Sequence, residues 1–273
     1  MFYQNNNFIN KLVDICKKSN EIALKIYDNY VSNGINITYK NDNSPLTEAD
    51  LRVNEYICEE LNKMNNIFNK NILIISEENK NRPYNERSKF DWVWLIDPID
   101  GTKEFLKKNG QFTVNIGLCF KGDPVFGVVG IPVEHCIYYG CKNIGSYKLN
   151  TKNNNSVKIK CSKFSMNNSD LRIVCSSSHM NKDTEKYISN FKNPKLKSAG
   201  SSIKLLKVAE GEADIYPRIA PTSEWDTCAS HAVVLYSGGN VVQYNSTKNV
   251  KYNKENLLNP YFICMGIDKN STI

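Results

Sequence analysis

No apolar run in this chain approaches the roughly 18 residues that a membrane span needs, so a spanning protein is not expected. The first residues, Met1-Phe2-Tyr3-Gln4-Asn5-Asn6-Asn7, lack the basic and apolar blocks of a secretory signal, and a cytoplasmic location is the expectation. The 9 cysteines are odd in number and show no Cys-x-x-Cys pair, which excludes the spacing of a zinc ribbon or a disulfide framework. Free, buried thiols remain. Nor is there a clustered basic stripe. The net charge of +7, from 35 Lys and Arg against 28 Asp and Glu, is spread through Asn-rich stretches. Nucleic acid is therefore not expected as a partner, and attraction of a small anionic substrate is. Tracts such as Asn150 to Asn155 read as biased surface loops.

What the chain does carry is centred on Trp92-Val93-Trp94-Leu95-Ile96-Asp97-Pro98-Ile99-Asp100-Gly101-Thr102. The run from Trp92 to Ile96 reads as a strand covered on both faces. Pro98 lacks a ladder donor and is expected to end it, and Gly101 allows a tight reversal. Asp97 and Asp100 are then left at the carboxyl end of a strand, where open α/β sheets place their sites. Two such close carboxylates repel unless a cation or proton intervenes, and hard divalent cations favour oxygen ligands. The bland alternative is a turn in which both Asp residues act as caps.

Around this centre the periodicities predict a long amphipathic helix over 8–30 and a strand over 35–39. A turn follows over 41–45. A second helix starts at Thr47-Glu48-Ala49-Asp50 with Thr47 and Asp50 as a capping box, and turns Leu51, Val53, Ile57 and Leu61 inward. A strand over 71–75 ends in Glu77-Glu78, either a second acidic cluster or a solvated loop. Strands are expected over 112–120, 123–131, 136–139, 157–159, 171–175 and 213–216. Gly200-Ser201-Ser202 precedes a helix from Ile203, an anion site or a simple cap. Trp225-Asp226 opens a helix closed by Ser237-Gly238-Gly239, with Asp226 a cap on its own evidence. The composition shift over 142–155 suggests two halves, residues 1–150 and 151–273, the first carrying most of the acids.

Taken in order, Glu77-Glu78, Asp97-Pro98-Ile99-Asp100-Gly101-Thr102 and Trp225-Asp226 before a helix ending in Gly238-Gly239 resemble the inositol monophosphatase superfamily. These are lithium-sensitive, magnesium-dependent phosphomonoesterases. The segments 100–105, 109–116, 200–204 and 209–218, with Trp225-Asp226-Thr227, are most similar to its bacterial 3'(2'),5'-bisphosphate nucleotidases. The resemblance implies an α/β (α+β) fold, a layered α-β-α-β-α sandwich with the site between two halves. It also implies hydrolysis of the 3'-phosphate of adenosine 3',5'-bisphosphate to AMP, by a monomer with two to three Mg2+ ions, inhibited by Li+.

Carried over position by position, the resemblance gives one metal to Glu77, Asp97 and the carbonyl of Ile99, and a second to Asp97, Asp100 and Asp226. Asp50 and Thr102 orient and deprotonate the attacking water. Glu78 supports the ligands from behind. Gly101, Thr102, Ser176, His179, Gly200, Ser201, Lys204 and Arg218 contact substrate. Arg218 discriminates, because inositol monophosphatases carry an acid there. The Asn-rich segment 41–45 stands where a mobile metal-binding loop is expected. The competing expectations are an inositol mono- or polyphosphate 1-phosphatase and a non-catalytic nucleotide sensor.

Overall fold

The structure is a computed structural model that describes residues 1–33, 37–39, 45–176 and 180–269. In chain order it comprises α1 (Asn6–Asn33), β1 (Ile37–Tyr39), β2 (Pro45–Thr47), α2 (Glu48–Ile67), β3 (Leu73–Ser76), α3 (Tyr84–Arg87), β4 (Trp92–Asp100) and α4 (Thr102–Leu106). A run of strands follows: β5 (Thr113–Phe120), β6 (Asp123–Ile131), β7 (Cys136–Cys141), β8 (Gly145–Asn150), β9 (Asn155–Ile159) and β10 (Lys163–Phe164). The remainder is β11 (Arg172–Ser176), α5 (Lys182–Ile188), β12 (Lys195–Ala199), α6 (Ile203–Ala209), β13 (Ile215–Arg218), α7 (Glu224–Tyr236), β14 (Asn240–Gln243), β15 (Phe262–Met265) and β16 (Ile267–Asp268).

Two large sheets organise the chain. A seven-stranded sheet runs β3 to β9 in sequence order, antiparallel except for the parallel β3–β4 pair. A five-stranded sheet has the order β12-β11-β13-β15-β14. The alternation of β4 divides the core. Trp94 and Ile96 point into a cluster with Leu12, Cys16, Val53, Ile57 and Leu61 of α1 and α2. Val93 and Leu95 point the other way, into a cluster with α6, α7 and the inner face of the five-stranded sheet. A third, smaller cluster joins Ile188 of α5 to Ile173, Ile215 and Ile263 on that sheet's outer face. The layers are therefore helix, sheet, helix, sheet, helix, as expected.

The middle layer lies unusually close to the larger sheet. Gly117, Gly127 and Gly140 are register partners on β5, β6 and β7 and form a row without side chains. A Cβ at Gly127 would stand 2.0 Å from the carbonyl oxygen of Ala229 in α7, and one at Gly117 would stand 2.7 Å from Cys228 Sγ. The row is a seat for α7, whose first turn carries Asp226.

Three expectations are corrected. Leu51 is 51% exposed, because it lies two residues, and so roughly 200° of helix, from Val53 on the buried face. The 142–155 segment is no boundary between sheets. Its Asn-rich stretch is the turn of the β8–β9 hairpin, and the chain leaves the larger sheet only after Ile159. Pro98 does not end β4. The strand continues to Asp100 through a bulge, since Asp97 pairs with Asn115 and Asp100 with Thr113, three steps against two. The bulge accommodates a residue without an N–H.

Candidate active site

That bulge creates the acidic centre. In a regular strand residues i and i+3 point to opposite faces. The extra residue resets the alternation, so Asp97 and Asp100 face the same side as their partners Asn115 and Thr113. Both line a cavity of about 280 Å³, together with Glu77 at the end of β3 and Asp226 in α7. Ile99, Gly101 and Thr102 complete this wall, while Ser176, Gly200, Ser201, Lys204 and Arg218 come from the five-stranded side. Asp50 and Glu78 are not among the lining residues. His179 lies outside the described residues, as do 41–44 of the expected loop. Pro45, at the start of β2, does line the cavity.

Asp50 reaches the site through Thr102. Its Oδ2 accepts from the Thr47 amide at 2.8 Å and the Thr47 hydroxyl at 2.6 Å, and the Thr47 hydroxyl accepts from the Ala49 amide, which is the expected capping box. Its Oδ1 accepts from the Thr102 hydroxyl at 3.3 Å. One carboxylate oxygen thus caps α2 and the other faces the cavity wall. Asp226 shows the same economy, accepting the Ser223 amide at 2.9 Å as the third residue of α7.

Electrostatically the cavity carries both signs of charge. Burial, then Glu77, Asp100 and Asp226, hold Asp97 well above the usual carboxyl range. Burial, then Asp100 and Glu77, do the same to Asp226. Asp100 is raised less, because Lys204, the Ser201 hydroxyl and the Ser202 amide oppose its burial. The basic groups are held by carbonyls. Arg218 Nε donates to Ala220 O at 3.2 Å and its Nη2 to Pro221 O at 2.6 Å. Lys204 is 4% exposed and donates to Ala199 O and Ser201 O, and burial draws its ammonium down to about 8.

This all-oxygen acidic set is the chemistry a hard divalent cation selects, and the mutual repulsion recorded in Asp97 and Asp226 is what such a cation would relieve. Among the described residues no three acidic, His or Cys side chains already converge on one point, so an ion would have to draw them together. The cysteines contribute no nucleophile here: all 9 are free and 8 are buried. Sequence reasoning missed Tyr216, whose ring lies 5.6 Å from Lys204 Nζ, and Thr222, both of which line the cavity. Tyr216 sits one strand period from Arg218, which was the available signal.

The family model for the inositol monophosphatase family matches residues 7–264. The chain belongs to that family. It is 35% identical over 236 residues to a 3'(2'),5'-bisphosphate nucleotidase CysQ of Buchnera aphidicola, covering 85% of this chain and 83% of that protein. It is 32% identical to the Salmonella typhimurium protein of the same name, covering 93% and 98%. The crystal structure of CysQ from Bacteroides thetaiotaomicron matches with a TM-score of 0.80 at 38% identity, over 94% of this chain and 96% of that one. An inositol monophosphatase from Anabaena shares the fold, with a TM-score of 0.71 at 20% identity. Among the described residues no helix is long and apolar enough to cross a membrane.

Proposed function

We propose that this chain is a Mg2+-dependent 3'(2'),5'-bisphosphate nucleotidase that removes the 3'-phosphate of adenosine 3',5'-bisphosphate and leaves AMP. The observation that carries the reading is that one cavity holds both signs of charge: Glu77, Asp97, Asp100 and Asp226 on one hand, and Arg218 with the buried Lys204 on the other. A substrate with two phosphates satisfies both sets, one through metal and one through direct cationic contact.

In this reading Glu77, Asp97 and the Ile99 carbonyl would hold one ion, and Asp97, Asp100 and Asp226 would hold a second. Bound Mg2+ would supply an acidified water and neutralise charge on the phosphoryl and leaving oxygens. Asp50 takes a proton at Oδ1 through the Thr102 hydroxyl, which already bridges Asp50 and Ile99 O. Thr47 fixes the other Asp50 oxygen, so the base cannot rotate away. Glu78 steadies the ligands from behind. Gly101 takes a left-handed conformation with φ 91°, which turns Thr102 toward Asp50. Ser176, Gly200 and Ser201 line the path to Arg218, and His179 is assigned to the nucleoside. The enzyme works as a cytoplasmic monomer with two to three ions, and Li+ inhibits it.

Phosphate release with Mg2+ on adenosine 3',5'-bisphosphate, inositol 1-phosphate and inositol 1,4-bisphosphate tests the reading, with Asp97→Asn as control. Preference for the nucleotide, lost in the control, is expected. Preference for inositol 1-phosphate would overturn the role given to Arg218. Nucleotide binding with no release on any substrate would make the protein a sensor.

A further inference from the structure

The segment Gln111-Phe112-Thr113-Val114-Asn115 has no part in the mechanism above, yet it carries the densest polar network at the site. Its polar residues fall at a spacing of two and so lie on one face of the chain entering β5. All three meet the turn Gly200-Ser201-Ser202, which arrives from the other sheet. Gln111 Oε1 accepts the Gly200 amide at 2.7 Å. The Thr113 hydroxyl lies 2.6 Å from that of Ser201 and 2.8 Å from that of Ser202. Asn115 Oδ1 accepts from the Ser202 hydroxyl at 2.9 Å. Thr113 and Asn115 are 0% exposed and Ser202 is 2% exposed, so these three have no water as a substitute partner, whereas Ser201 lines the cavity.

The proton directions follow from the contacts at Asp100. Asp100 Oδ2 takes the Ser201 hydroxyl at 2.7 Å and the Ser202 amide at 2.6 Å. The Ser201 hydroxyl is the donor in that contact, so its hydrogen points at Asp100. Since the Ser201 hydrogen is taken, Thr113 is the donor in its 2.6 Å contact with Ser201, with Asn115 Oδ1 at 3.4 Å and Asp100 Oδ2 at 3.5 Å as more distant acceptors. Ser202 donates to Asn115 Oδ1 at 2.9 Å, with the Thr113 oxygen at 2.8 Å beside it. The result is a row of hydroxyls polarised toward one carboxylate oxygen, each link strengthening the next.

We propose that Thr113 is a positioning residue for Asp100. It aligns the Ser201 hydroxyl on Oδ2 and so leaves the other carboxylate oxygen aimed at the cation site. The proposal rests on the metal-dependent reading above. It also makes the Gly200–Ser202 turn a device for holding a carboxylate of the opposite sheet, in addition to any contact with substrate.

The test compares Thr113→Val, which keeps the shape and deletes the hydroxyl, with Thr113→Ser, which keeps the hydroxyl and deletes the methyl. Mn2+ binding is read by the electron paramagnetic resonance of the free ion, alongside steady-state kinetics at varied Mg2+. Thr113→Val is expected to weaken Mn2+ binding about 10- to 100-fold, the usual effect of losing a group that orients a ligand. Its kcat should fall at limiting Mg2+ and recover at saturating Mg2+, with KM for the bisphosphate unchanged. Thr113→Ser should bind Mn2+ as the unaltered protein does. Unchanged Mn2+ binding by Thr113→Val overturns the proposal, as does equal loss in both variants, which would assign the effect to packing. If Thr113→Val does not fold, Thr113→Ala, which deletes the hydroxyl without putting a methyl in its place, should also weaken Mn2+ binding; unchanged binding there overturns the proposal. An unaltered protein that binds no Mn2+ overturns the metal-site reading and this proposal together, whereas the outcomes above fail this proposal alone.

Discussion

Gly127→Ala adds one methyl group, and the structure sets its consequence. The new Cβ would stand 2.0 Å from the Ala229 carbonyl oxygen, 2.7 Å from its carbon and 2.8 Å from its Cα. All three are backbone atoms of α7, so no side-chain rotation relieves the contact. Reaching the 3.4 Å at which ordinary contact begins requires α7 and β6 to separate by about 1.4 Å. Overpacking of this kind costs about 1–3 kcal/mol, and a backbone-on-backbone clash belongs at the upper end. For a chain of this size, that is a fall in Tm of about 6–12 °C.

The same shift carries Asp226 away from Asp97 and Asp100, which sit on the sheet that α7 leaves. A misplacement of about 1 Å at a reacting centre can cost about 10²-fold in rate. Gly127→Ala should therefore lose kcat well beyond what its unfolded fraction explains, with the loss deepest at low Mg2+. Melting curves by circular dichroism and phosphate release at a temperature where both proteins are folded would measure this. Two companion variants sharpen it. Ala229→Gly should not rescue Gly127→Ala, since the obstacle is main chain. Cys228→Ala should partly rescue Gly117→Ala, whose nearest obstacle is Cys228 Sγ at 2.7 Å. A Gly127→Ala protein with unaltered Tm and kcat would refute the argument that the glycine row sets the depth of α7.

Three other perturbations have clear signs. Asp97 and Asp226 are held above the usual carboxyl range, so between about pH 3.9 and those raised values the folded state binds more protons than the unfolded one. The metal-free protein should lose stability as pH rises through that window, and Mg2+ should remove the slope; urea midpoints in chelator and in Mg2+ would show it, and a rising metal-free slope would contradict it. Thr47→Val deletes the hydroxyl that caps α2 and orients Asp50; about 1 kcal/mol of stability should go, together with kcat, and loss of stability alone would deny Asp50 its second role. Arg218→Ala should raise KM for the bisphosphate about 10- to 100-fold, from the loss of a charge-assisted bond of about 1.5–3 kcal/mol, and should leave inositol 1-phosphate hydrolysis unaffected. An equal effect on both substrates would detach Arg218 from the second phosphate.

Legibility in the sequence followed how local each signal was. The apolar strand before Asp97 and the Thr47–Asp50 capping box are written within a few residues each and lie where expected, and α7 begins two residues earlier than Asp226, at Glu224, with Ser223 as its cap and Asp226 in its first turn. The order of the layers came from the family resemblance, because strand and helix periods do not say which sheet covers which helix. Pro98 was misjudged for a physical reason: a missing donor ends a strand or bulges it, and only the partner strand decides. Asn115 and Thr113 supply that partner, and the bulge they accommodate is what turns both Asp residues one way. The composition shift over 142–155 read as a boundary because hairpin turns and inter-domain segments draw on the same residues.

The polar stripe of Gln111, Thr113 and Asn115 escaped notice for a related reason. Within an apolar strand, polar residues at a spacing of two ordinarily mark a face turned to water, but this face is fully buried at Thr113 and Asn115. Its partner, the Gly200–Ser202 turn, lies 87 to 89 residues further along the chain. Neither half explains the other until the sheets are stacked. The acidic centre itself was legible because its chemistry is carried by the acids. The groups that aim those acids are small, neutral and distant in sequence: three glycines under α7 and three hydroxyls behind Asp100. If geometry rather than charge limits this site, substitutions in these neutral groups should cost as much metal affinity as moving an acid, while leaving every acid in place.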